Sequence, residues 1–313
     1  MKKVLITGAS GFIGHHCLSH LARRGYEIHA VSSKGAPFVD ANNVTWHRVD
    51  LLKREQVFEV VADVQPTHLL HLAWYAVPGK YWTSTENFRW VQASLDLFQA
   101  FASVEGKRIV AAGSCAEYEW GSDEPCSETK TPLNPATLYG ACKHALRIML
   151  EAYAAQANVS AAWGRIFFLY GPREYESRLV ASVIRSLLRG EPARCSHGRQ
   201  VRDLLYVEDV AGAFVRLLDS DVRGAVNIAS GHAVALKDVV GQIGERLNRS
   251  DLVKLNAVPA PANEPRYLVA DVKRLSEELS WRPEHDLHDG MNKTIVWWQQ
   301  SGLNGTSEAG DSA

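Results

Sequence analysis

The stretch "KVLITGASGFIG", residues 3–14, decides how this chain folds. An apolar, β-branched run leads into three glycines at spacings of three, Gly8, Gly11 and Gly14, and a helical pattern follows. A strand, a glycine-rich turn and a helix in this order are typical of the phosphate-binding turn of a βαβ unit. A turn that binds no ligand is the alternative, but a second strand about twenty residues later favours a dinucleotide. The residues expected to lie against the cofactor are Gly8, Ser10, Gly11, Phe12, Ile13 and Gly14.

Beyond this turn, short apolar runs alternate with helical patterns. The runs include "EIHAVS" (27–32), "THLLHLA" (67–73) and "RIVAAG" (108–113). Such alternation predicts an α/β fold with a doubly wound parallel sheet of the Rossmann type. We expect a dinucleotide-binding domain over residues 1–168, rejoined by about 203–228. A smaller, discontinuous substrate-binding region takes 169–202 and 229–303, and the polar tail 304–313 is predicted to be disordered.

The composition restricts the partners of the chain. A formal net charge of -1 over 313 residues argues against nucleic acid and membrane surfaces, and favours a small molecule. The five cysteines form no CxxC pair and do not cluster with histidine, which argues against a metal site and a disulfide framework. Free cysteines fit a reducing cytoplasm. No segment approaches the ~20 apolar residues of a membrane span.

The end of the second strand indicates which dinucleotide binds. An NAD site usually has an acidic residue there to hold the ribose hydroxyls, but the sequence is Ser32, Ser33 and Lys34. Two hydroxyls and a cation suit a 2′-phosphate, which favours NADP(H) and leaves NAD(H) as the alternative. Lys34 could instead be a solvated loop lysine. Asp50 and Leu51 follow the run "VTWHRV" (44–49) and could contact the adenine, although Asp50 could equally cap a helix.

Tyr139 and Lys143, in "YGACK", lie four residues apart on a predicted helix and therefore on the same face. A nearby ammonium favours the phenolate of a tyrosine, which makes the phenol usable as an acid or base near neutral pH. Ser114 follows the run "RIVAAG" at the carboxyl edge of the predicted sheet, where ligands bind in such folds. These three residues are the predicted catalytic group. A partly buried tyrosine beside a surface lysine is the simpler alternative.

Together these motifs resemble the extended short-chain dehydrogenase/reductase family, in particular its nucleotide-sugar epimerases, dehydratases and ketoreductases. The resemblance covers roughly residues 2–300. "HLAW" (71–74) is similar to the family's HLAA segment, which places Leu72 and Ala73 along the cofactor. "RIFFLYGP" (165–172) resembles the segment that leads to the substrate pocket, and "VRDLLYVEDVA" (201–211) resembles the RDxxYVxDxA pattern.

The resemblance also implies substrate contacts. Arg202 would bind the diphosphate of a nucleotide sugar, since an arginine fork suits two phosphate oxygens, unless it forms an internal pair with Asp203. Arg266 stands near the place of a second phosphate-binding arginine. Tyr75, in the aromatic run "WYAVPGKYW" (74–82), could line the sugar pocket or belong to a loop packed on the core. Phe168 replaces an asparagine that often contacts the substrate phosphate in the family.

The positions after Ser114 restrict the reaction that the resemblance implies. Sugar 4,6-dehydratases carry an Asp-Glu pair there, but this chain has Cys115 and Ala116, and Glu117 comes one position too late. The 3,5-epimerase/4-reductases need a cysteine at position 116, so Cys115 is expected to be a buried structural thiol. Arg178 occupies the place of their second acid and cannot serve as one near neutral pH.

Among the reactions that the resemblance implies, hydride transfer remains, since it needs only the serine, the tyrosine and the lysine together with a nicotinamide cofactor. We expect NADPH-dependent reduction of a nucleotide-linked 4-keto-6-deoxyhexose, because the ribose acid of an NAD site is missing. An NAD-dependent nucleotide-sugar 4-epimerase is the alternative, followed by a protein that binds dinucleotide without catalysis. The family also dimerises through two helices, here from Thr83 to Val104 and around Tyr139. The expected seam residues, which a monomer core would also explain, are Leu95, Phe98, Leu146 and Met149.

Overall fold

Parallel strand pairing organises the computed structural model, which describes residues 2–35, 43–260 and 264–303 of the chain. The strands are β1 (Lys3–Thr7), β2 (Glu27–Ser32), β3 (Val44–Arg48), β4 (His68–His71), β5 (Arg108–Ser114), β6 (Ser160–Ile166), β7 (Phe168–Tyr170), β8 (Ala193–Arg194), β9 (Val201–Tyr206), β10 (Gly224–Ile228), β11 (Ala233–Ala235), β12 (Val253–Lys254) and β13 (Tyr267–Leu268). The helices are α1 (Phe12–Arg23), α2 (Arg54–Val64), α3 (Glu86–Ser103), α4 (Leu138–Gln156), α5 (Leu179–Leu188), α6 (Val207–Leu218), α7 (Leu236–Arg246) and α8 (Leu287–Leu303).

Seven strands form the central sheet in the order β10-β6-β5-β4-β1-β2-β3, and every pair in it is parallel. β1 lies between β2 and β4, so the chain winds outward from β1 in both directions. The predicted doubly wound α/β fold is therefore confirmed. In such sheets the ligand crevice opens at the carboxyl edge, at the point where the winding direction reverses.

Helices cover both faces of this sheet. Successive residues of β1 point to opposite faces: Val4 and Ile6 pack in the layer with α1 and α6, whereas Leu5 packs with α2, α3 and α4. All seven residues of β5 are buried, as expected for a strand that has helices on both sides. Burial of each large apolar side chain contributes about 1.5–3 kcal/mol, so these two layers hold the sheet together.

A second, smaller region contains the remaining strands. β9 is central there and pairs with β7, β11 and β13, while β8 pairs with β12. Its core is formed by apolar residues of α5, α7 and α8, among them Ile184, Val239 and Met291. The division into two functional regions stays a prediction, and the tail 304–313 lies outside the described residues.

All five cysteines are buried and free. Over the ranges that the structure describes, none of the helices has the length and apolar character needed to cross a membrane.

Candidate active site

The turn between β1 and α1 has the shape of a phosphate cradle. Gly8 has φ +68°, and its carbonyl accepts a hydrogen bond from the Gly11 amide at 3.0 Å. A Cβ on Gly8 would lie 2.8 Å from the Ala73 nitrogen, and one on Gly14 would lie 2.1 Å from the Gly8 oxygen. No side chain caps α1 at Gly11, so its first amides are directed at the crevice without a side-chain acceptor. This turn therefore fits a dinucleotide pyrophosphate.

Hydroxyl groups meet at the carboxyl end of β2. The Ser10 hydroxyl donates to Ser32 Oγ at 3.3 Å, and the Lys34 amide donates to the same oxygen at 3.3 Å. Ser32 is buried, whereas Ser33 and Lys34 are exposed. Arg48 ends β3 in register with Ser32 and is also exposed. Two exposed cations, Lys34 and Arg48, thus lie at the carboxyl ends of β2 and β3, and the sequence analysis did not single out Arg48, although its place at the end of the third strand was a usable signal.

Asp50 does not cap a helix. Its Oδ1 accepts the Leu52 amide at 3.0 Å, its own amide donates to Gln56 Oε1 at 2.8 Å, and the N-cap of α2 is Lys53. The capping alternative is wrong because three residues separate Asp50 from the helix, and its carboxylate stabilises the preceding turn instead. Leu51 beside it is buried in the core below the crevice.

The end of β4 is held against the glycine turn. The Leu72 amide donates to the Thr7 carbonyl at 3.3 Å, and the Ala73 amide donates to Thr7 Oγ1 at 3.4 Å. Both residues are partly buried, and the backbone beyond them runs on into Trp74. The structure thus places Leu72 and Ala73 beside Gly8, on the expected path of the cofactor.

Close packing brings Ser114 and Tyr139 together. Ser114 ends β5, and its Oγ accepts the Ala116 amide at 3.2 Å, which starts a 3₁₀ turn over Cys115–Glu117. A Cβ on Gly140 would lie 2.2 Å from the Ala116 oxygen, so the start of α4 sits directly on this turn. The Tyr139 phenol lies near the Ser114 side chain, whose hydroxyl favours the ionised form of the phenol.

Burial sets the protonation of the catalytic candidates. It raises the pKa of Tyr139 above its ordinary value, Tyr81 adds to this, and the Ser114 side chain opposes it. The phenol is therefore protonated near neutral pH and can donate a proton. Burial lowers the pKa of Lys143 to about 7, although the Glu117 carboxylate favours the charged form.

Lys143 is almost completely enclosed. Its Nζ donates to the Ala112 carbonyl at 2.9 Å and lies 3.7 Å from the centroid of the Trp74 ring. Trp74 is one of three aromatic residues around Tyr139: the ring centroids of Tyr81, Trp82 and Trp74 lie 4.8, 5.7 and 6.4 Å from that of the catalytic candidate. The aromatic run thus forms a wall of the site, and Tyr75 within it is partly buried.

Glu117 supports the site from behind. Both of its oxygens are engaged, Oε1 by the Ser114 amide and the Trp163 indole, each at 2.8 Å, and Oε2 by Arg165 at 3.0 Å. Glu117 and Arg165 are 0% and 1% exposed. Sequence reasoning treated Glu117 only as a misplaced acid and missed this ion pair, because its partner is 48 residues away.

The predicted substrate residues lie beside β9. Arg202 is 1% exposed and donates to Glu264 Oε1 at 2.8 Å, while its guanidinium carbon lies 5.1 Å from the Phe168 ring. The alternative pair with Asp203 is wrong, because neighbouring residues of a strand point to opposite faces. Asp203 accepts hydrogen bonds from Ser230, Gly231 and Ala270 instead.

Other predicted positions differ in their surroundings. Arg266 is exposed, whereas Gln200, which sequence reasoning did not single out, donates to Glu264 Oε2 at 2.7 Å. Arg178 stands at the N-cap of α5, and its guanidinium lies 5.5 Å from the Tyr81 ring centroid. Burial raises the pKa of the Cys115 thiol, which fits a structural cysteine. Among the described residues, the one trio with metal-ligand spacing, Asp286, His288 and Asp289, is exposed.

Comparison with known proteins shows the family of the chain. The sequence model of the NAD dependent epimerase/dehydratase family matches residues 4–229. The chain belongs to this family. Its Rossmann fold and nucleotide-sugar relatives make it an enzyme of the extended short-chain dehydrogenase/reductase type, as the motifs predicted.

Several known proteins are similar to this chain over most of its length. UDP-glucuronate 4-epimerase 2 of Arabidopsis thaliana is 27% identical over 94% of this chain and 75% of its own length. The structure of MoeE5 in complex with UDP-glucuronic acid and NAD is 29% identical, with a TM-score of 0.83 over 96% of this chain and 99% of that one. UDP-glucose 4-epimerase of Thermotoga maritima, at 21% identity, shares the fold with a TM-score of 0.85 over 96% and 99% of the two chains.

Proposed function

We propose that this enzyme reduces the 4-keto group of a nucleotide-linked 4-keto-6-deoxyhexose with NADPH, in deoxysugar biosynthesis. The observation that carries the proposal is the Tyr139 phenol, which burial keeps protonated near the Ser114 hydroxyl. A protonated phenol beside a second hydroxyl suits a carbonyl oxygen that must gain a proton. Glu117 is tied to Arg165, so it is not available for the acid-base steps of a dehydration.

The side chains divide the work in this mechanism. NADPH, when bound, supplies the hydride for the keto carbon. The Ser114 and Tyr139 hydroxyls bind the keto oxygen, and Tyr139 donates its proton as negative charge develops there. The amides at the start of α1 hold the pyrophosphate, and Lys143 holds the nicotinamide ribose. Its ammonium also stabilises the phenolate that Tyr139 leaves behind. Arg202 holds the substrate diphosphate once the phosphates compete with Glu264 for its guanidinium.

The direct test of the proposal is an assay with purified protein and 4-keto-6-deoxy sugars carried on dTDP, CDP, GDP and UDP. We expect loss of NADPH absorbance with at least one of them, and one equivalent of alcohol product per NADPH consumed. No oxidation with any of the four would remove the reductase proposal.

A nucleotide-sugar 4-epimerase is the second candidate. It is favoured by the likeness to UDP-glucuronate 4-epimerase 2 and to the NAD-bound MoeE5 structure. An epimerase retains NAD and interconverts a gluco and a galacto sugar without added cofactor. That result, together with no NADPH oxidation by keto-sugars, would establish the epimerase in place of the reductase.

The cofactor preference gives a quantitative prediction. Lys34→Ala removes one cation from the end of β2, so we expect the Kd of NADPH to rise about 10- to 100-fold, and that of NADH to change by less than about twofold. Fluorescence titration of both cofactors measures this. Lys53 is also exposed but follows β3 instead of β2, so Lys53→Ala is the matched control and should leave both affinities unchanged. Equal losses for the two cofactors in Lys34→Ala would contradict a 2′-phosphate at this place.

We also propose that the enzyme is a cytoplasmic homodimer paired through α3 and α4. Phe88 on α3 and Ile148 on α4 are 58% and 49% exposed, which is unusual for large apolar side chains on one pair of helices. Between the helices lies a depression lined by Leu95, Phe98, Gln99, Met149, Ala152, Tyr153 and Gln156. Light scattering on the purified protein measures the mass, and a monomer of 34.6 kDa would remove this assembly.

A further inference from the structure

One contact in the site that the mechanism does not use is between Trp74 and Lys143. Lys143 is 3% exposed, and its Nζ donates a hydrogen bond to the Ala112 carbonyl at 2.9 Å. The face of the Trp74 ring lies 3.7 Å from Nζ, measured to the centroid, whereas the Trp163 ring is at 5.9 Å. An ammonium over an indole face is attracted by the electrons of the ring, and the attraction is greatest where water is excluded.

The indole is itself fixed from the other side. Its Nε1 donates to Asn87 Oδ1 at 2.9 Å, and Asn87 is completely buried. The Asn87 amide also donates to the carbonyls of Tyr81 and Ser84, at 2.7 and 2.8 Å. One asparagine on the first turn of α3 therefore anchors both Trp74 and the loop that encloses Tyr139. The ring cannot rotate away from the lysine without breaking this hydrogen bond.

We propose that Trp74 is a positioning residue for the reaction, whose ring face holds the Lys143 ammonium in place and favours its charged form. The inference rests on the proposed function for its purpose, because the charge is needed at the cofactor ribose and beside Tyr139. The contact itself does not depend on which sugar is reduced.

Other ionisable groups around Lys143 also affect whether its side chain is charged. The Glu117 carboxylate, from the turn after β5, favours the ammonium, whereas Cys142 on α4 adds no charge, because burial raises the pKa of its thiol. Arg165 pairs with Glu117 and so offsets part of that effect. His71 on β4 adds no charge, since burial lowers its pKa to about 3. Burial is the dominant effect and lowers the pKa of Lys143 to about 7, so a moderate attraction decides whether the lysine is charged at neutral pH.

The test reads Lys143 directly, in protein labelled with ε-¹³C lysine and free of cofactor, with Lys143→Arg used to assign the signal. In Trp74→Leu the ring face is lost, so the titration midpoint should fall by about one pKa unit, a tenfold change in protonation. Trp74→Phe keeps a weaker ring and should give a smaller fall. Trp82→Leu, which loses a ring near Tyr139 but not near Lys143, is the matched control and should leave the midpoint unchanged.

The direction of the shift discriminates between two roles of the indole. A ring that only excludes water would, on removal, admit water and raise the midpoint, and either a rise or no change in Trp74→Leu would overturn the proposal. If the leucine variant does not fold, Trp74→Phe is used for the same test. The proposal predicts a fall of the Lys143 titration midpoint in this variant, and a rise or no change would overturn it. Because the titration needs no turnover, failure of the keto-sugar assay would count against the proposed function alone.

Discussion

Replacing Tyr139 with phenylalanine slows reduction of the keto-sugar by about a thousandfold and leaves NADPH binding intact. The variant retains the ring that packs against Tyr81 and Trp82, so the aromatic wall is preserved. It loses only the hydroxyl that donates the proton and contacts Ser114. Stopped-flow and steady-state measurements of NADPH absorbance give the rate, and fluorescence titration gives the affinity.

Tyr153→Phe is the control for this experiment. Tyr153 lies on the same helix, about four turns after Tyr139, and it lines the depression between α3 and α4 instead of the catalytic site. It should turn over like the parent enzyme. If Tyr139→Phe retained more than about a tenth of the parent rate, the proton would have to come from another group, and the assigned mechanism would be wrong.

Arg165→Met lowers the free energy of unfolding by about 3–5 kcal/mol, because it leaves the buried Glu117 carboxylate without its cation. Both side chains lie beneath the active site, and the guanidinium also donates to the Tyr118 hydroxyl at 3.0 Å. Urea denaturation followed by circular dichroism measures the loss. Methionine has a similar length, so the lost charge rather than a cavity is tested.

Two further variants isolate the buried pair. Arg89→Met breaks an exposed pair with Glu86 on α3 and should cost no more than about 0.5 kcal/mol. The double variant Glu117→Gln/Arg165→Met removes both charges and should lose less stability than Arg165→Met alone. Similar losses for Arg165→Met and Arg89→Met would show that the buried pair contributes no more than a surface one.

Local sequence was enough to predict the fold. The glycine turn, the apolar runs and the helical spacing of Tyr139 and Lys143 are patterns of neighbouring residues, and backbone geometry converts them directly into strands, turns and helix faces. The confirmed doubly wound sheet depends on such patterns. The choice of family followed in the same way, because its motifs are short and lie at the ends of strands.

Contacts between distant segments could not be predicted in this way. The partner of Glu117 is 48 residues away and that of Arg202 is 62 residues away, and a single sequence holds no sign of either pairing. Alternation along a strand did contain the information that Arg202 and Asp203 face opposite sides, so that error was avoidable. The contact between Lys143 and Trp74 depends on the conformation of the whole loop from β4 to α3. The sequence of this loop has no regular hydrophobic period from which that conformation could be predicted.

Gly140 shows how a missing atom can set a reacting distance. The start of α4 approaches the turn after β5 so closely that a single methyl group at this position would lie 2.2 Å from the Ala116 oxygen. Ser114 and Tyr139 come from segments 25 residues apart, and no covalent link or charge draws them together. Their spacing depends on Gly140, which has no side chain at the point where α4 packs against the turn. Gly140 carries no reactive group, yet it allows the reactive side chains of Ser114 and Tyr139 to come close to each other.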